Sequence, residues 1–450
     1  MDETASRFAQ PSLLIIFAYA QAGLGHLRVT DALYHGLPAH TNAILLHSQE
    51  ASIGYLHHLT SIHPVTRALL EWLQRGEPEE LFTRFYRHVL RSNTHWLYEH
   101  MAALIDERYE MPTTVLIVAT HFGLAHQLAA IKDKLSREKQ VKIILALQVT
   151  DDSPQRIWYV EGADLIVVPS APTQAALAAY GRQEGLPQVH FAVLPYPVSP
   201  LLTALLSDAD YGQRQQEMQA DSPTEIQIAI PISGAAVGLT FFRQLIDALH
   251  ARSSRFHFQV VAKSAPYTQA FLRDLQSLPY VTLHTGTTDR EVVEQYEQLY
   301  ENVLVALEVT KPSEQAFKAL VSPQRRGGTL LLFSHPVGRQ EDDNLAFLQR
   351  HRLLPTAETQ RALWEYAAQE RSLSASESAL LNKALTWRGL RLPDDPVKAA
   401  DLIGWTLQQG VFSQMIRCVN VPQPDDPAPQ ELSAEGVNEF WKAVSGLLGS

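Results

Sequence analysis

A histidine stands directly after two closely spaced glycines near the start of the chain. Gly23, Gly25 and His26 fall between an apolar run at 13–18 and a helical pattern that begins near residue 29. Glycines after a first strand allow a tight turn and let a ligand approach the backbone. The next helix begins here, with free N–H groups and a partial positive charge. The spacing predicts that His26 faces a crevice at the carboxyl end of a strand; the alternative is that it only caps the turn.

Two more polar side chains follow apolar runs in the first half of the chain. His121 comes after the run 113–120, and Asp151 comes after the run 141–149. Strand ends of this kind face the crevice of an open α/β sheet, so both residues are candidates for a binding or catalytic site. Two other interpretations stay open. His121 could be a buried, hydrogen-bonded histidine, and Asp151 could be a helix cap, with Asp152 as an equal competitor.

Small and charged residues follow strand-like runs in the second half. Ser233 and Gly234 come after the run 225–230. A small-residue turn that enters a helix can cradle a phosphate. Further along, a helix that begins at Ser313 can hold a phosphate, and Lys311 adds a positive charge. These residue types predict an anion-binding site in the second half.

Apolar runs that alternate with helical patterns position these residues. Runs that are apolar on both faces are typical of strands in a parallel sheet. The first series lies at 13–18, 113–120, 141–149, 164–169 and 190–194, and the second at 225–230, 256–261, 280–284, 302–306 and 328–333. The pattern predicts an α/β protein with two doubly wound Rossmann-like domains.

The restart of the pattern sets the predicted domain boundaries. A first domain spans 1–200, a polar linker spans 201–224, and a second domain spans 225–385. The remaining residues, 386–450, are predicted to be a helical segment with proline and aspartate breaks. A chain of 450 residues is long enough for two or three domains, each with its own core.

The bulk composition excludes several classes of protein. The formal net charge is -11, and an acidic chain repels phosphate backbones, so we expect no nucleic-acid partner. Cys418 is the single cysteine, so no internal disulfide is possible, which fits a reducing cytoplasm. Residues 1–10 lack a secretory signal pattern, and no apolar run is long enough to span a bilayer. We therefore expect a cytoplasmic protein whose membrane contact, if present, is peripheral.

Four segments together are similar to a known family. A Gly-x-Gly-His segment at 23–26, a Thr-His pair at 120–121 and Val-Thr-Asp at 149–151 occur in the family's order. A Pro, Gly, Gln, Glu and Asn pattern follows at 336–344. On these motifs, spread over residues 12–355, the chain resembles GT-B glycosyltransferases of the monogalactosyldiacylglycerol synthase and processive diacylglycerol glucosyltransferase family.

The resemblance implies a hexosyltransferase that moves a sugar from a nucleoside-diphosphate donor, typically UDP-linked, to a hydroxyl of a lipid-like or small-molecule acceptor. It implies that His26 is the general base, a role that suits a side chain titrating near neutrality. Asp151 would orient the base or bind the acceptor, and Gly23, Gly25 and His121 would lie near the acceptor. The implied donor-binding residues are Ser233, Gly234, Lys311, Ser313, Glu314, Gly338, Gln340, Glu341 and Asn344. No metal or further cofactor is expected, because helix N-termini and side chains stabilise the leaving diphosphate in this architecture.

The donor motif departs from the family pattern at several positions. Gln340 and Glu341 offer an amide and a carboxylate to sugar hydroxyls, as the resemblance implies. Ser313 and Glu314, however, replace the glycines that usually follow the Lys-Pro pair, and Lys318 falls near the place of a ribose-gripping carboxylate. Two alternatives therefore stay open: a non-catalytic relative that binds a nucleotide-sugar or a partner enzyme, and a nucleotide-sugar epimerase.

An arginine- and aromatic-rich stretch at 66–101 reads as one or two amphipathic helices. In lipid-glycosylating relatives the matching region helps to meet the membrane, and a basic, aromatic helix could do so here. The alternative is an ordinary helix that packs its aromatic residues in the core and leaves its arginines in water. Nearby glutamates dilute the positive charge, which favours the second interpretation.

Overall fold

The computed structural model describes residues 3–20, 24–38, 41, 43–47, 86–92, 94–373, 378–417 and 426–449. The chain forms two compact units, one of residues 1–199 with 435–450 and one of residues 200–434. Each unit contains one six-stranded sheet in which every strand pairing is parallel, with helices between the strands. The predicted α/β class with two doubly wound Rossmann-like domains is confirmed.

The first unit is built on a sheet with the strand order β2-β1-β3-β4-β5-β6. Its elements are α1 (Glu3–Phe8), β1 (Leu13–Tyr19), α2 (Leu24–His35), β2 (Ala43–His47), α3 (His95–Asp106), β3 (Thr114–Ala119), α4 (Phe122–Lys139), β4 (Lys142–Gln148), a 3-10 helix (Arg156–Trp158), β5 (Leu165–Val168), α5 (Ala171–Gln183) and β6 (Phe191–Val193). Residues 86–92 are also helical. Strand β1 lies between β2 and β3, and Ile15, Ile16, Phe17 and Ala18 are all fully buried, as parallel strands covered on both faces require.

The second unit is built on a sheet with the strand order β12-β11-β10-β7-β8-β9. Its elements are α6 (Pro200–Thr203), α7 (Asp208–Glu217), β7 (Ile226–Pro231), α8 (Leu239–Arg252), β8 (Phe256–Lys263), α9 (Gln269–Gln276), β9 (Val281–Gly286), α10 (Asp289–Asn302), β10 (Leu307–Thr310), a 3-10 helix (Glu314–Leu320), β11 (Leu330–Phe333), α11 (Arg339–Arg350), α12 (Ala357–Ala368), α13 (Ser378–Ala384), β12 (Gly389–Arg391), α14 (Pro396–Gln408), α15 (Val411–Met415) and a 3-10 helix (Pro429–Glu431).

The helix α16 (Gly436–Leu448) belongs to the first unit, although it lies at the end of the chain. The indole of Trp441 donates to the carbonyl oxygen of Leu33 at 3.0 Å, and its ring lies 5.1 Å from that of Phe8. Gly36 faces this helix, because a Cβ there would come within 2.0 Å of Val437. Residues from both ends of the sequence therefore share one core.

The unit boundaries differ from the predicted domain boundaries at both ends of the second domain. Residues 201–224, expected as a linker, lie within the second unit as α6, α7 and the approach to β7. The guanidinium of Arg214 in α7 is fully buried and donates to the carbonyl oxygens of Pro323, Arg325 and Arg326 at 2.7–2.9 Å. At the other end, β12 adds a strand to the sheet within a segment that was expected to be helical.

The strand expected at 302–306 lies later in the chain. Helix α10 continues to Asn302, and β10 begins at Leu307, where it pairs with β7 and β11. Val305 and Ala306 are fully buried, but they belong to the connection that enters the sheet. Apolar character alone therefore misplaced this strand.

No helix in the described part of the chain is long and apolar enough to cross a membrane.

Candidate functional site

His26 lies in the first turn of α2, at the carboxyl edge of the first sheet. Its Nδ1 atom is 2.7 Å from the carbonyl oxygen of Thr120, which follows β3. The Oγ1 atom of Thr150, which follows β4, lies 3.5 Å from the same nitrogen. A carbonyl oxygen can only accept, so Nδ1 carries the proton. The lone pair of the neutral imidazole is then on Nε2, which is the atom that can take a proton.

Two buried threonines hold the backbone of His26 in place. The hydroxyl of Thr30, one turn further along α2, donates to the carbonyl oxygen of His26 at 2.8 Å. The hydroxyls of Thr30 and Thr120 lie 2.7 Å apart, and both side chains are fully buried. The imidazole is therefore fixed from α2 and from the end of β3 at once. Buried hydroxyls that are satisfied in this way rigidify their surroundings.

His121 caps helix α4 and also packs against His26. Its Nδ1 accepts a hydrogen bond from the N–H of Leu124 at 3.4 Å, and the residue is 4% exposed. Its ring meets that of His26 edge-on at 5.0 Å and stacks on Phe122 at 4.7 Å. Because Nδ1 accepts, the proton of the neutral ring is on Nε2, the opposite tautomer to that of His26. His121 is thus the buried, hydrogen-bonded histidine that the sequence left open, and it lies beside the candidate base.

Trp158 completes an aromatic wall next to His26. The indole is 2% exposed, and its ring lies 6.4 Å from that of His26 and 5.6 Å from that of Phe122. Aromatic side chains of this kind bury large apolar areas and favour edge-on or offset contacts. Trp158 belongs to the buried core of the first unit, and Phe122 is the partly exposed ring of this pair.

The two aspartates after β4 have different environments. Asp152 is 6% exposed, and its carboxylate accepts hydrogen bonds from Ser170 and, at 2.8 Å, from the hydroxyl of Thr173. Ser170 is the N-cap of α5, so Asp152 is committed to the start of that helix. Asp151 is half-buried and lies three residues after the end of β4. The structure thus identifies Asp152 as a partner of the N-cap of α5.

A loop with left-handed backbone follows β7 in the second unit. Ala236 has φ +51°, Gly238 has φ +85°, and Gly238 is the N-cap of α8. The Oγ atom of Ser233 is shielded from solvent and has no hydrogen-bond partner among the described residues. The hydroxyl of Tyr267 donates to the carbonyl oxygen of Gly234 at 3.2 Å. An alanine at positive φ costs energy and is found mainly where a loop serves a function.

Lys311 and Glu341 connect the ends of two adjacent strands, β10 and β11. The Nζ atom of Lys311 is 2.5 Å from Oε1 of Glu341. The Oε2 atom of Glu341 accepts the N–H of Val337, in the loop between β11 and α11, at 2.6 Å. Glu341 is in the first turn of α11, and Gly338 is its N-cap, so the contact is similar to the return half of a capping box.

Asn344 ties α11 to the β10 loop, one turn beyond Glu341. Its side-chain amide donates to the carbonyl oxygen of Pro312 at 3.1 Å, and the residue is fully buried. Gln340, by contrast, is half-buried near the start of the same helix. Ser313 and Glu314 are half-buried at the start of the 3-10 helix.

Lys318 points into the core of the second unit. Its Nζ atom lies 2.7 Å from the Glu308 carboxylate, 2.8 Å from the hydroxyl of Tyr296 and 2.6 Å from that of Tyr300. Burial, together with the neighbouring Glu308 carboxylate, holds the pKa of Tyr300 well above its ordinary value. Residues 315–320 are all buried and include no carboxylate. The helix therefore presents neither Lys318 nor an acidic side chain from those positions to the strand edge. Glu314 is the only acidic residue in the helix.

The structure brings the predicted residues together at one edge of each sheet. His26, Gly25, His121 and Asp151 lie at the ends of β1, β3 and β4, which are neighbours in the first sheet; Gly23 lies outside the described residues. The predicted donor residues lie after β7, β10 and β11, which are neighbours in the second sheet. The sequence analysis included Thr120 and Thr150 in its motifs but gave them no role, and it did not single out Thr30, Phe122 and Tyr267. Thr120 and Thr150 each stand at the end of a strand-like run, which is the signal that could have assigned them to the site.

Within the described ranges, no three histidine, cysteine, aspartate or glutamate side chains are grouped so that they could hold a metal ion.

Comparison with known proteins gives similarity to solved structures alone. No family model matches the chain, and no curated protein matches it. The UDP-GlcNAc 2-epimerase from Neisseria meningitidis bound to UDP-GlcNAc is 9% identical, with a TM-score of 0.47, 97% of this chain and 100% of that chain covered. Anabaena HepE in complex with UDP and glucose is 12% identical, with a TM-score of 0.46 and coverage of 98% and 99%.

A plant protein gives a similar result. A UDP-glucosyltransferase from Polygonum tinctorium capable of glucosylating indoxyl is 12% identical, with a TM-score of 0.45 and coverage of 97% and 99%. Because identities and TM-scores are this low, no function is transferred from these structures to this chain.

Proposed function

We propose that this protein transfers a hexose from a nucleoside-diphosphate sugar, UDP-linked by resemblance, to a hydroxyl group of a lipid-like or small-molecule acceptor. The observation that carries the proposal is the hydrogen bond between His26 Nδ1 and the carbonyl oxygen of Thr120. This bond leaves Nε2 as the proton acceptor of a histidine at the edge of a doubly wound sheet, where ligands bind in such folds.

The acceptor step follows from the position of His26. Nε2 takes the proton from the acceptor hydroxyl, and the acceptor oxygen forms a bond to the anomeric carbon of the donor sugar. The bond between that carbon and the donor phosphate breaks, and its electron pair leaves with the nucleoside diphosphate. The partly exposed ring of Phe122 supports this assignment, because it offers an apolar contact for the body of the acceptor.

The donor step is assigned to the strand edge of the second unit. Charge builds up on the leaving diphosphate, and preorganised dipoles aimed at that charge lower the barrier. Helices α8 and α11 both begin at this edge with glycine at the N-cap, so no N-cap side chain covers their first N–H groups. Lys311 adds a positive charge. Transfer is proposed to proceed without a metal ion.

A second candidate function is binding without catalysis. It is favoured by Lys318, which stands near the place of the ribose-gripping carboxylate but points into the core, and by residues 315–320, which include no carboxylate. A protein of this kind would bind a nucleotide-sugar and release no nucleoside diphosphate.

Release of nucleoside diphosphate distinguishes these candidates. The purified protein is incubated with UDP-glucose, UDP-galactose or UDP-GlcNAc, with and without diacylglycerol vesicles or a small phenolic acceptor. Acceptor-dependent UDP release that is lost in His26→Ala supports transfer. Binding of the sugar-nucleotide with no UDP release under any acceptor condition supports the binding-only candidate. Formation of an epimeric sugar-nucleotide without an acceptor contradicts both.

A further inference from the structure

Both oxygens of the Glu341 carboxylate already have protein partners. Oε1 is 2.5 Å from Nζ of Lys311, and Oε2 accepts the N–H of Val337 at 2.6 Å. The Glu341 side chain is 10% exposed and that of Lys311 is 16% exposed, so solvent screens this pair only weakly. Each oxygen keeps a second lone pair, but the low exposure of the side chain leaves little of the carboxylate open to sugar hydroxyls.

Glu341 joins two loops that end adjacent strands. Lys311 follows β10, and Val337 lies between β11 and α11. Asn344 is three residues further along α11, on the same helix face, and donates to Pro312 O at 3.1 Å. Two side chains of one helix therefore fasten α11 to residues 311 and 312.

The ion pair with Glu341 fixes the direction of the Lys311 ammonium. Lysine is a flexible, strongly hydrated point charge, and holding it in one place needs a partner. Glu341 is that partner, and it lies in the first turn of α11, where N–H groups have no intrahelical acceptor. A phosphate at the start of α11 would therefore meet both the helix N-terminus and the ammonium.

We propose that Glu341 is a positioning residue for the diphosphate of the donor and does not contact the sugar. It aims Lys311 at the phosphate and holds the start of α11. Gln340, the half-buried neighbour, is then the side chain of this pair that meets the sugar hydroxyls. This inference rests on the proposed function, because it concerns the same donor site.

The test compares the affinity for UDP with that for UDP-glucose by calorimetry, or for whichever UDP-sugar the wild type binds best. Glu341→Gln keeps the size of the side chain and an oxygen for Val337, but removes the charge that holds Lys311. It is expected to weaken UDP and the conjugate by the same factor, roughly tenfold, as for the loss of one charge-assisted hydrogen bond. Gln340→Ala is the comparator, and it should weaken the conjugate more than UDP.

The double variant separates positioning from a general structural role. If Glu341 acts through Lys311, Glu341→Gln should cause no further loss of UDP affinity in a Lys311→Met background. A merely structural role would lower the affinity by the same factor in both backgrounds. Unfolding temperatures of all variants show whether each is folded.

The outcomes distinguish failure of this inference from failure of the proposed function. If Glu341→Gln weakens the conjugate but not UDP, Glu341 contacts the sugar, and the inference is wrong while the proposed function stands. If the wild type binds neither UDP nor any conjugate, the proposed function falls, and the inference falls with it. If Glu341→Gln does not fold, Lys311→Met carries the test: it must weaken UDP and the conjugate equally, and weakening of the conjugate alone, or of neither, overturns the inference.

Discussion

The imidazole of His26 is tied through Nδ1 to the carbonyl oxygen of Thr120, at 2.7 Å. This contact joins the first turn of α2 to the end of β3. It sets the tautomer, because a backbone carbonyl cannot donate, and so it leaves Nε2 as the proton acceptor. The neighbouring His121 has the opposite tautomer, since its Nδ1 accepts the N–H of Leu124. Two adjacent histidines thus have opposite tautomers, each fixed by a backbone partner.

Removal of the His26 imidazole should abolish transfer but not donor binding. General base catalysis contributes a factor of roughly 100 to 10,000 in rate, so His26→Ala should lower kcat by that amount. Binding of the nucleotide, measured by calorimetry, should change little, because the donor residues lie in the second unit. Equal loss of transfer and of donor binding would mean that His26 is structural.

The substitution Thr30→Val tests whether the Thr30 hydroxyl positions His26. It removes the hydroxyl that donates to the His26 carbonyl oxygen but keeps the shape of the side chain. We expect a reduced kcat that remains above that of His26→Ala. An unchanged kcat would show that the hydroxyl does not position the base.

The buried ion pair of Glu308 and Lys318 should be sensitive to the loss of one partner. Glu308→Leu leaves the Lys318 ammonium buried beside two tyrosine hydroxyls, without its 2.7 Å carboxylate contact. Breaking one side of such a pair costs about 3–5 kcal/mol of unfolding free energy. Replacing both residues, as Glu308→Leu with Lys318→Met, should cost much less. Urea unfolding of the three variants measures this, and equal losses in the single and double variants would contradict it.

Acid should destabilise the first unit through His126. This residue in α4 is fully buried, its Nε2 donates to the carbonyl oxygen of Ile157 at 2.9 Å, and burial lowers its pKa from 6.5 to about 4. Between these two values the unfolded chain binds a proton that the folded protein does not, so stability falls as the pH drops from 6.5 towards 4. The loss is about 3 kcal/mol in all.

The substitution His126→Gln tests this pH dependence. The amide can still donate to Ile157 but does not titrate, so urea unfolding at pH 7 and at pH 4.5 should differ less than in the wild type. His190→Gln is the control, because His190 is exposed. If His126→Gln keeps the full acid sensitivity of the wild type, buried His126 is not its source.

Base should destabilise the second unit through Glu217. The residue lies in α7, is 1% exposed, and burial raises the pKa of its carboxyl from 4.5 to about 7. Between these values the unfolded chain has released a proton that the folded protein keeps, so stability falls as the pH rises across that window. Glu217→Gln should therefore unfold at a higher urea concentration than the wild type at pH 8, because its free energy of unfolding is higher by up to about 3 kcal/mol. At pH 4.5 the difference between the two proteins should be smaller. Glu365→Gln, at an exposed position of α12, should show no such pH-dependent gain.

The strands could be predicted from the sequence because they are local features. A central parallel strand such as β1 is apolar on both faces, and that property is visible in six consecutive letters. The connection 303–306 is equally apolar but forms no strand, because α10 continues to Asn302 and strand pairing begins at Leu307. The difference lies in which backbone groups pair, and composition does not encode this.

The chemical roles of the site residues depended on tertiary contacts. Asp151 and Asp152 are adjacent and identical in type, and only the position of Ser170 and Thr173 commits Asp152 to α5. Lys318 turns inward because Glu308 and two tyrosines in other elements receive it. The sequence identifies which residues could act, but the partner atoms come from distant segments.

The return of α16 to the first unit is also a tertiary property. Its anchor, the bond between Trp441 and Leu33, joins residues 408 positions apart. A helical pattern near the end of a chain does not indicate which core will bury it.

Calorimetry of the purified protein with nucleoside diphosphates tests the central claim most directly. The ligands are UDP, GDP and TDP, their sugar conjugates, and NAD as a dinucleotide control. We predict that one nucleoside diphosphate binds, that a sugar conjugate of the same base binds more tightly, and that Gln340→Ala removes the extra affinity of the conjugate. Binding of NAD in preference to every nucleoside diphosphate, or binding of none of these ligands, would contradict this prediction.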